Sequence, residues 1–215
     1  MAKRLEIDFI SDVVCPWCAI GLGGLETALK RLDGEIEADV HFQPFELNPQ
    51  MPPEGQNIDE HIAQKYGRSA DETEAIRARI RDRAAAVGFT IQHSDKNRIY
   101  NTFDAHRLLH WAALEGRQAE LKHALLKAYF TDGLNVADHA VLVAKAEEAG
   151  LDPATARDIL ASDRYAEDVR RDEQQWLRAG INSVPAIVVN RQYLISGGQP
   201  PEVFEESLRE IASKL

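Results

Sequence analysis

The chain carries Leu5-Glu6-Ile7-Asp8-Phe9-Ile10 and, after four further residues, Cys15-Pro16-Trp17-Cys18. Apolar and acidic residues alternate in the first segment, which predicts a β-strand. Beyond the second cysteine, apolar residues recur at helical spacing until Leu32, and a proline suits the first turn of a helix because its missing N–H would be unpaired there. The stretch therefore predicts a strand and then a helix that ends near Gly34, with Cys15 as its N-cap.

Alternation returns at residues 36–42 and predicts a second strand, parallel to the first and joined to it by the helix. From residue 58 to about residue 180 the pattern is helical, with a capping box from Ser69 to Glu72 and a helix start at Asp152-Pro153. Residues 186–195 predict a hairpin that turns at Asn190-Arg191, and a last helix follows. The order of elements is therefore βαβ, a long helical block, and ββα.

This order is similar to that of the thioredoxin fold. The predicted fold class is α/β, with a thioredoxin-like core (βαβ…ββα) and a large all-helical insertion. We place the first part of the thioredoxin-like domain at residues 1–46, the helical insertion domain at 47–181 and the second part of the thioredoxin-like domain at 182–215.

Composition and charge argue against a nucleic-acid-binding, membrane or secreted protein. The 215 residues have a formal net charge of −10, a field that repels polyanions, so we expect no nucleic-acid partner. No apolar run approaches the roughly 20 residues that span a bilayer, so we expect no membrane partner. The first residues lack the unbroken apolar stretch of a secretory signal, which predicts a cytoplasmic location.

Only two cysteines occur in the sequence, three positions apart. In a reducing compartment such a pair is catalytic or metal-binding rather than structural. A zinc site needs four ligands, and neither this pair nor His106 and His110, spaced for one helix face, has the remaining ligands in an obvious motif. We therefore predict redox chemistry and no metal.

Disulfide exchange needs a thiolate, and the positive end of a helix dipole favours an anion at Cys15. Cys18 lies one turn further into the helix. We expect Cys15 to be the nucleophile and Cys18 to resolve the mixed disulfide.

Four segments together resemble the DsbA family, and within it the FrnE-like branch. They are residues 12–18 around the cysteines, 101–108, Ser183-Val184-Pro185-Ala186 and Ser196-Gly197-Gly198-Gln199-Pro200. The resemblance covers essentially the whole chain. It implies a redox-active disulfide, an activity as thiol–disulfide oxidoreductase or disulfide isomerase, and protein or small-molecule thiols and disulfides as partners.

The same resemblance implies a set of substrate contacts. A cis-proline loop, here Val184-Pro185, packs beside the CxxC motif and presents backbone to the substrate. Pro16 and Trp17 are expected to contact the substrate as well. The helix that carries His106 is expected to overhang the cysteines, which makes His106 a further candidate for substrate binding.

Kappa-class glutathione transferases and 2-hydroxychromene-2-carboxylate isomerases are relatives in this resemblance. They generally have a serine where this chain has Cys15, and they use it to hold glutathione. A glutathione-dependent isomerase or transferase is therefore the alternative function. We expect no cofactor, with glutathione as a candidate co-substrate and glutathione or the thioredoxin system as a candidate partner.

Asp8 lies on the first predicted strand. Thioredoxin-like proteins often keep a buried acid below the motif as a proton acceptor, but the spacing of Asp8 to Cys15 does not fit that pattern. We expect a polar position near an edge of the sheet.

Overall fold

Both ends of the chain contribute to one sheet in this computed structural model, which describes residues 2–67, 69–92 and 97–215. Met1, with which the first predicted domain begins, lies outside the described residues. The first elements in chain order are β1 (Lys3–Ser11), α1 (Pro16–Arg31), β2 (Ile36–Pro44), β3 (Gln56–Asn57), α2 (Ile58–Tyr66), α3 (Ala70–Ala86) and β4 (Arg98–Ile99). They are followed by α4 (Phe103–Leu114), α5 (Gln118–Phe130), α6 (His139–Glu148), α7 (Pro153–Leu160), α8 (Ala166–Arg178), β5 (Ala186–Val189), β6 (Tyr193–Ser196) and α9 (Pro201–Ser213).

The main sheet has the strand order β2-β1-β5-β6. β1 runs parallel to β2, from Lys3 opposite Ile36 to Ser11 opposite Pro44, and antiparallel to β5. β5 and β6 form the predicted hairpin, in which Asn190 and Arg191 both have positive φ, as two-residue turns between twisted strands require. The predicted βαβ…ββα core is confirmed.

The insertion is helical, but the prediction that it is all-helical is wrong. β3 and β4 pair as an antiparallel two-stranded sheet. Each strand has two residues, which is too short to show alternation, and Asn57 both ends β3 and caps α2 with its side chain. The predicted capping box at Ser69 and the predicted N-cap at Asp152 are confirmed. Among the helices of the described residues, none has the length and apolarity needed to cross a membrane.

The predicted domain boundaries fall between elements of this order. Residue 46 lies in the segment between β2 and β3, and residue 181 lies in the segment between α8 and β5. The division itself stays a prediction.

Asp8 is not near an edge of the sheet, contrary to expectation. It lies on β1, which is flanked by β2 and β5, and its side chain is buried. Gln43 donates a hydrogen bond of 2.6 Å to Asp8 Oδ1. Burial is the largest influence and raises the pKa of this carboxyl group above its usual value.

Helix α1 packs tightly against two loops, one that contains Pro185 and one that contains Gly198. A Cβ atom at Gly21 would lie 3.1 Å from Pro185 Cγ and 3.2 Å from Gly198 Cα. A Cβ atom at Gly198 would lie 2.7 Å from Trp17 O, and Arg83 of α3 donates a hydrogen bond to the Gly198 carbonyl. Small residues at these positions therefore allow the start of α1 to contact both loops.

Gly198→Ala should lower the free energy of unfolding by about 1–3 kcal/mol, because the new methyl group meets backbone that cannot move aside. Urea denaturation followed by tryptophan fluorescence measures this change. Ser196→Ala, a substitution at an exposed position on the adjacent strand, is the control and should stay within about 0.5 kcal/mol. A Gly198→Ala protein as stable as the unsubstituted one would show that this contact is not tight.

Candidate active site

Cys15 and Cys18 lie at the start of α1, at the carboxyl end of β1. Cys15 is the N-cap, with extended backbone, and Pro16 occupies the first turn. The Cys18 N–H donates to the Cys15 carbonyl at 3.0 Å, the first turn of the helix. Both cysteines are free thiols, and the Cys18 thiol interacts with Cys15 by a side-chain hydrogen bond.

The two thiols differ in their surroundings. Cys15 is 4% exposed and lines a cleft, whereas Cys18 is 0% exposed and lies in the hydrophobic core. Burial, then the hydrogen bond with Cys15, raises the pKa of the Cys18 thiol well above its usual value. The thiol at the N-cap therefore faces the cleft, and the thiol one turn later needs a proton acceptor before it can attack.

The Val184–Pro185 peptide bond is cis, and its loop lies beside the cysteines. Cys15 Sγ is 3.9 Å from the Val184 carbonyl oxygen. Pro185 is buried against α1, while Val184 is half-buried and lines the same cleft as Cys15. The loop thus forms a wall of the cleft through Val184, with Pro185 behind it.

The cleft has a volume of about 630 Å³ and lies between the CxxC motif and the helical insertion. This volume is within the usual range for small-molecule sites. From the thioredoxin-like part, its walls include Val14, Cys15, Pro16, Trp17 and Val184. From the insertion they include isoleucines on several elements, namely Ile58, Ile62, Ile76, Ile80, Ile91 and Ile99.

Cationic side chains stand among these apolar walls. Arg77 forms an ion pair with Asp59, and Arg81 forms one with Glu74 at 2.7 Å. Lys65 donates to Asn48 Oδ1 at 3.0 Å. The cleft is therefore apolar with paired charges, so it can hold an apolar group of a substrate next to a polar backbone.

His106 does not line this cleft. Its ring is buried, and Nε2 lies 3.1 Å from the Phe45 carbonyl oxygen and 3.5 Å from Asp12 Oδ1. The ring points into the core, because His106 lies on the buried side of α4. Four of the predicted site residues (Cys15, Pro16, Trp17 and Val184) line the cleft. Cys18 and Pro185 adjoin them but are buried, and His106 lies outside the cleft lining.

Asp12 is a buried acid near the cysteines that the sequence did not single out. Its Oδ2 accepts a hydrogen bond of 2.8 Å from the Leu47 N–H. Burial raises the pKa of Asp12, but His106, the Leu47 N–H and Thr102 together outweigh burial and hold the pKa below its usual value. Asp12 is therefore a buried negative charge.

Lys122 on α5 is the second buried charged group that the sequence analysis missed, and it is 1% exposed. The sequence did contain a signal for this burial: Lys122 lies three residues before Leu125 and four before Leu126. Residues at that spacing share a helix face, so Lys122 interrupts an apolar stripe. A cation in such a stripe indicates a buried charge.

Comparison with known proteins places this site in a family. Residues 6–209 match the DSBA-like thioredoxin domain. The structure of a probable DsbA oxidoreductase from Streptomyces coelicolor is 35% identical and covers 96% of this chain and 89% of that one, with a TM-score of 0.90. YwbO from Bacillus subtilis is 27% identical over 212 residues, which is 98% of each chain.

A more distant structure shares the fold. The cytosolic disulfide reductase DsbM from Pseudomonas aeruginosa is 17% identical and covers 98% of this chain and 100% of that one, with a TM-score of 0.68. A structure of DsbM with GSH has a TM-score of 0.60 at 20% identity. The motif, the cis-proline loop and the match over nearly the whole length agree: this chain belongs to the DSBA-like thioredoxin domain family and is a disulfide oxidoreductase.

Proposed function

We propose that this enzyme exchanges disulfides through a mixed disulfide on Cys15, which Cys18 then resolves. The Cys15 thiolate attacks a substrate disulfide, a bond forms between Cys15 and one substrate sulfur, and the other substrate sulfur leaves as a thiolate. The Cys18 thiolate next attacks Cys15 Sγ and releases the second substrate thiolate. The enzyme dithiol is thereby oxidised by two electrons and the substrate disulfide is reduced. The reverse sequence oxidises a substrate.

One observation carries the assignment of roles. Cys15 borders the cleft, and the Cys18 thiol is sealed in the core within hydrogen-bond contact of Cys15. A substrate in the cleft can therefore reach the Cys15 sulfur but not the Cys18 sulfur. The Cys18 sulfur, in turn, can attack only the Cys15 sulfur. This asymmetry supports attack by Cys15 and resolution by Cys18.

The cleft supports substrates that present an extended, polar backbone beside the cysteine and an apolar group further in. Val184 offers backbone at its wall, and Pro16 and Trp17 border Cys15. Glutathione and short peptide segments both supply such a backbone. The structure of DsbM with GSH supports glutathione as a co-substrate at this fold.

We place the enzyme in the FrnE-like branch and in the cytoplasm, working as a reductant or disulfide isomerase. The branch rests on the four sequence segments around residues 12–18, 101–108, 183–186 and 196–200. Its location is supported by the described cytosolic location of DsbM, which shares the fold. In a reducing compartment the dithiol form is the one that meets substrates.

Cys18→Ser should trap the mixed disulfide that Cys15 forms when it attacks a disulfide substrate, because the resolving sulfur is gone. Cys15→Ser should abolish turnover and trap nothing, because Cys18 faces no substrate. Non-reducing gel electrophoresis and mass spectrometry after incubation with glutathione disulfide or a peptide disulfide measure the trapped species. The Cys15→Ser/Cys18→Ser double variant is the background control.

Equal trapping by the two single variants would contradict these roles. A Cys15→Ser protein that is fully active in a glutathione-dependent isomerisation would instead favour the isomerase or transferase alternative.

Ile80→Ala should lower kcat/KM about tenfold for a peptide disulfide with an apolar residue next to its cysteine, because about 1.4 kcal/mol of apolar contact is lost. A peptide with serine at that place should be affected much less. Arg79→Ala, an exposed position on the same helix, is the matched control. Equal losses for the two peptides would show that the isoleucine wall does not contact this part of the substrate.

A further inference from the structure

The segment from Phe45 to Asn48, which follows β2, forms one wall of the cleft. All four of its residues line the cleft, as Cys15 does. The pairing of β2 with β1 ends at Pro44, before the segment begins. Contacts other than the hydrogen bonds of the main sheet must therefore fix the distance of this wall from Cys15.

Two buried side chains, Asp12 and His106, hold the backbone of the segment. Asp12 Oδ2 accepts a hydrogen bond of 2.8 Å from the Leu47 N–H. His106 Nε2 lies 3.1 Å from the Phe45 carbonyl oxygen and 3.5 Å from Asp12 Oδ1. Because both of these neighbours are acceptors, Nε2 bears the ring proton and donates it to the Phe45 carbonyl.

The residue between these two contacts, Glu46, is held by its side chain. This side chain is 2% exposed, and its carboxylate forms an ion pair with Arg170 of α8. The guanidinium of Arg170 in turn lies over the Phe103 ring, 3.8 Å from its centroid. Asn101 Nδ2 lies 3.4 Å from the other Glu46 oxygen. Three consecutive residues of the wall are thus held by side chains from three different parts of the chain.

Asp12 also contacts the turn that carries the nucleophile. The Cys15 N–H donates a hydrogen bond of 3.3 Å to the Asp12 carbonyl oxygen. One residue therefore binds the start of α1 through its backbone and the Leu47 N–H through its carboxylate. The separation between Cys15 and Leu47 is set by the length and direction of the Asp12 side chain.

Stability alone does not account for these buried polar groups. Apolar side chains of similar size often stabilise a protein as much as a buried charged pair or more. A satisfied polar contact has a definite length and direction, so it favours one arrangement of the groups that it joins. The Leu47 N–H bonds to a charged acceptor, because its neighbours hold the pKa of Asp12 below the usual value.

We propose that Asp12 and His106 are positioning residues, which hold the wall from Phe45 to Asn48 at the distance from Cys15 that a substrate filling the cleft requires. The inference rests on the proposed function, because it assigns residues to substrate binding in the same exchange reaction. Neither side chain lines the cleft, so both act through the wall. They set the affinity for large substrates and leave the attack of Cys15 on a disulfide unchanged.

His106→Leu removes the donor to the Phe45 carbonyl and keeps an apolar side chain in the core. The reduced variant is mixed with excess disulfide, and its oxidation is followed by tryptophan fluorescence. For a peptide disulfide with an apolar residue next to its cysteine, the half-saturating concentration should rise about tenfold, while the limiting rate changes by less than about twofold. Bis(2-hydroxyethyl) disulfide reports attack by Cys15 without filling the cleft, so its rate should change by less than about twofold.

His106→Gln places an amide N–H near the position of Nε2 and should return the half-saturating concentration to within about threefold of the original. His110→Leu, one turn later on the same helix and outside the cleft lining, is the matched control and should leave the kinetics of both disulfides unchanged.

An unchanged half-saturating concentration in His106→Leu would overturn the inference. Equal losses for the two disulfides, or a His106→Gln enzyme as impaired as His106→Leu, would also overturn it, because either result indicates a general structural role. If the unsubstituted enzyme were oxidised by neither disulfide, the proposed function itself would fail.

Two measurements on the unsubstituted protein depend neither on turnover nor on the folding of a variant. The ¹⁵N chemical shifts of the His106 ring should show a proton on Nε2. The Leu47 amide should exchange with deuterated solvent at least about tenfold more slowly than the amide of Glu54, an exposed residue in the loop that follows. An unprotonated Nε2, or a Leu47 amide that exchanges as fast as that of Glu54, would overturn the inference.

Discussion

The site depends on one contact: the first turns of α1 lie very close to the loops that contain Pro185 and Gly198. Gly21 and Gly198 lie so near the neighbouring backbone that a Cβ atom at either would meet it within about 3.2 Å. Cys15 lies next to Val184 and lines the cleft, whereas Cys18 is buried and does not line it. Cys15 and Cys18 have identical side chains. Their surroundings differ because of how the backbone of α1 packs against the two loops.

A second physical constraint is the set of charges buried beneath the cysteines. Asp12 and Lys122 are both buried, and His106 Nε2 lies 3.5 Å from Asp12 Oδ1. Burying ions is unfavourable by several kcal/mol each unless partners compensate them. Groups that remain in such a place without full hydrogen bonding are common at sites where a proton or a charge must move.

The thioredoxin-like core and the positions of the cysteines followed from local patterns. Alternation marked β1 and β2, and Asn190-Arg191 marked the hairpin, because turn and period signals depend on neighbouring residues. β3 and β4 were not predicted, because strands of two residues are too short to show an alternating pattern. The central position of Asp8, the burial of Lys122 and the burial of His106 away from the cleft depend on how α4, α5 and the sheet pack. A sequence pattern shows that a helix face is buried but not what that face meets.

The central claim is that Cys15 alone is open to reagents while Cys18 is sealed. The most direct measurement is to treat the reduced enzyme with a limiting amount of iodoacetamide and quantify each modified cysteine by peptide mass spectrometry. The account predicts alkylation at Cys15 in large excess over Cys18, as expected for a thiol that lines the cleft compared with a thiol that is sealed in the core. Comparable alkylation of the two cysteines in the folded protein would contradict it.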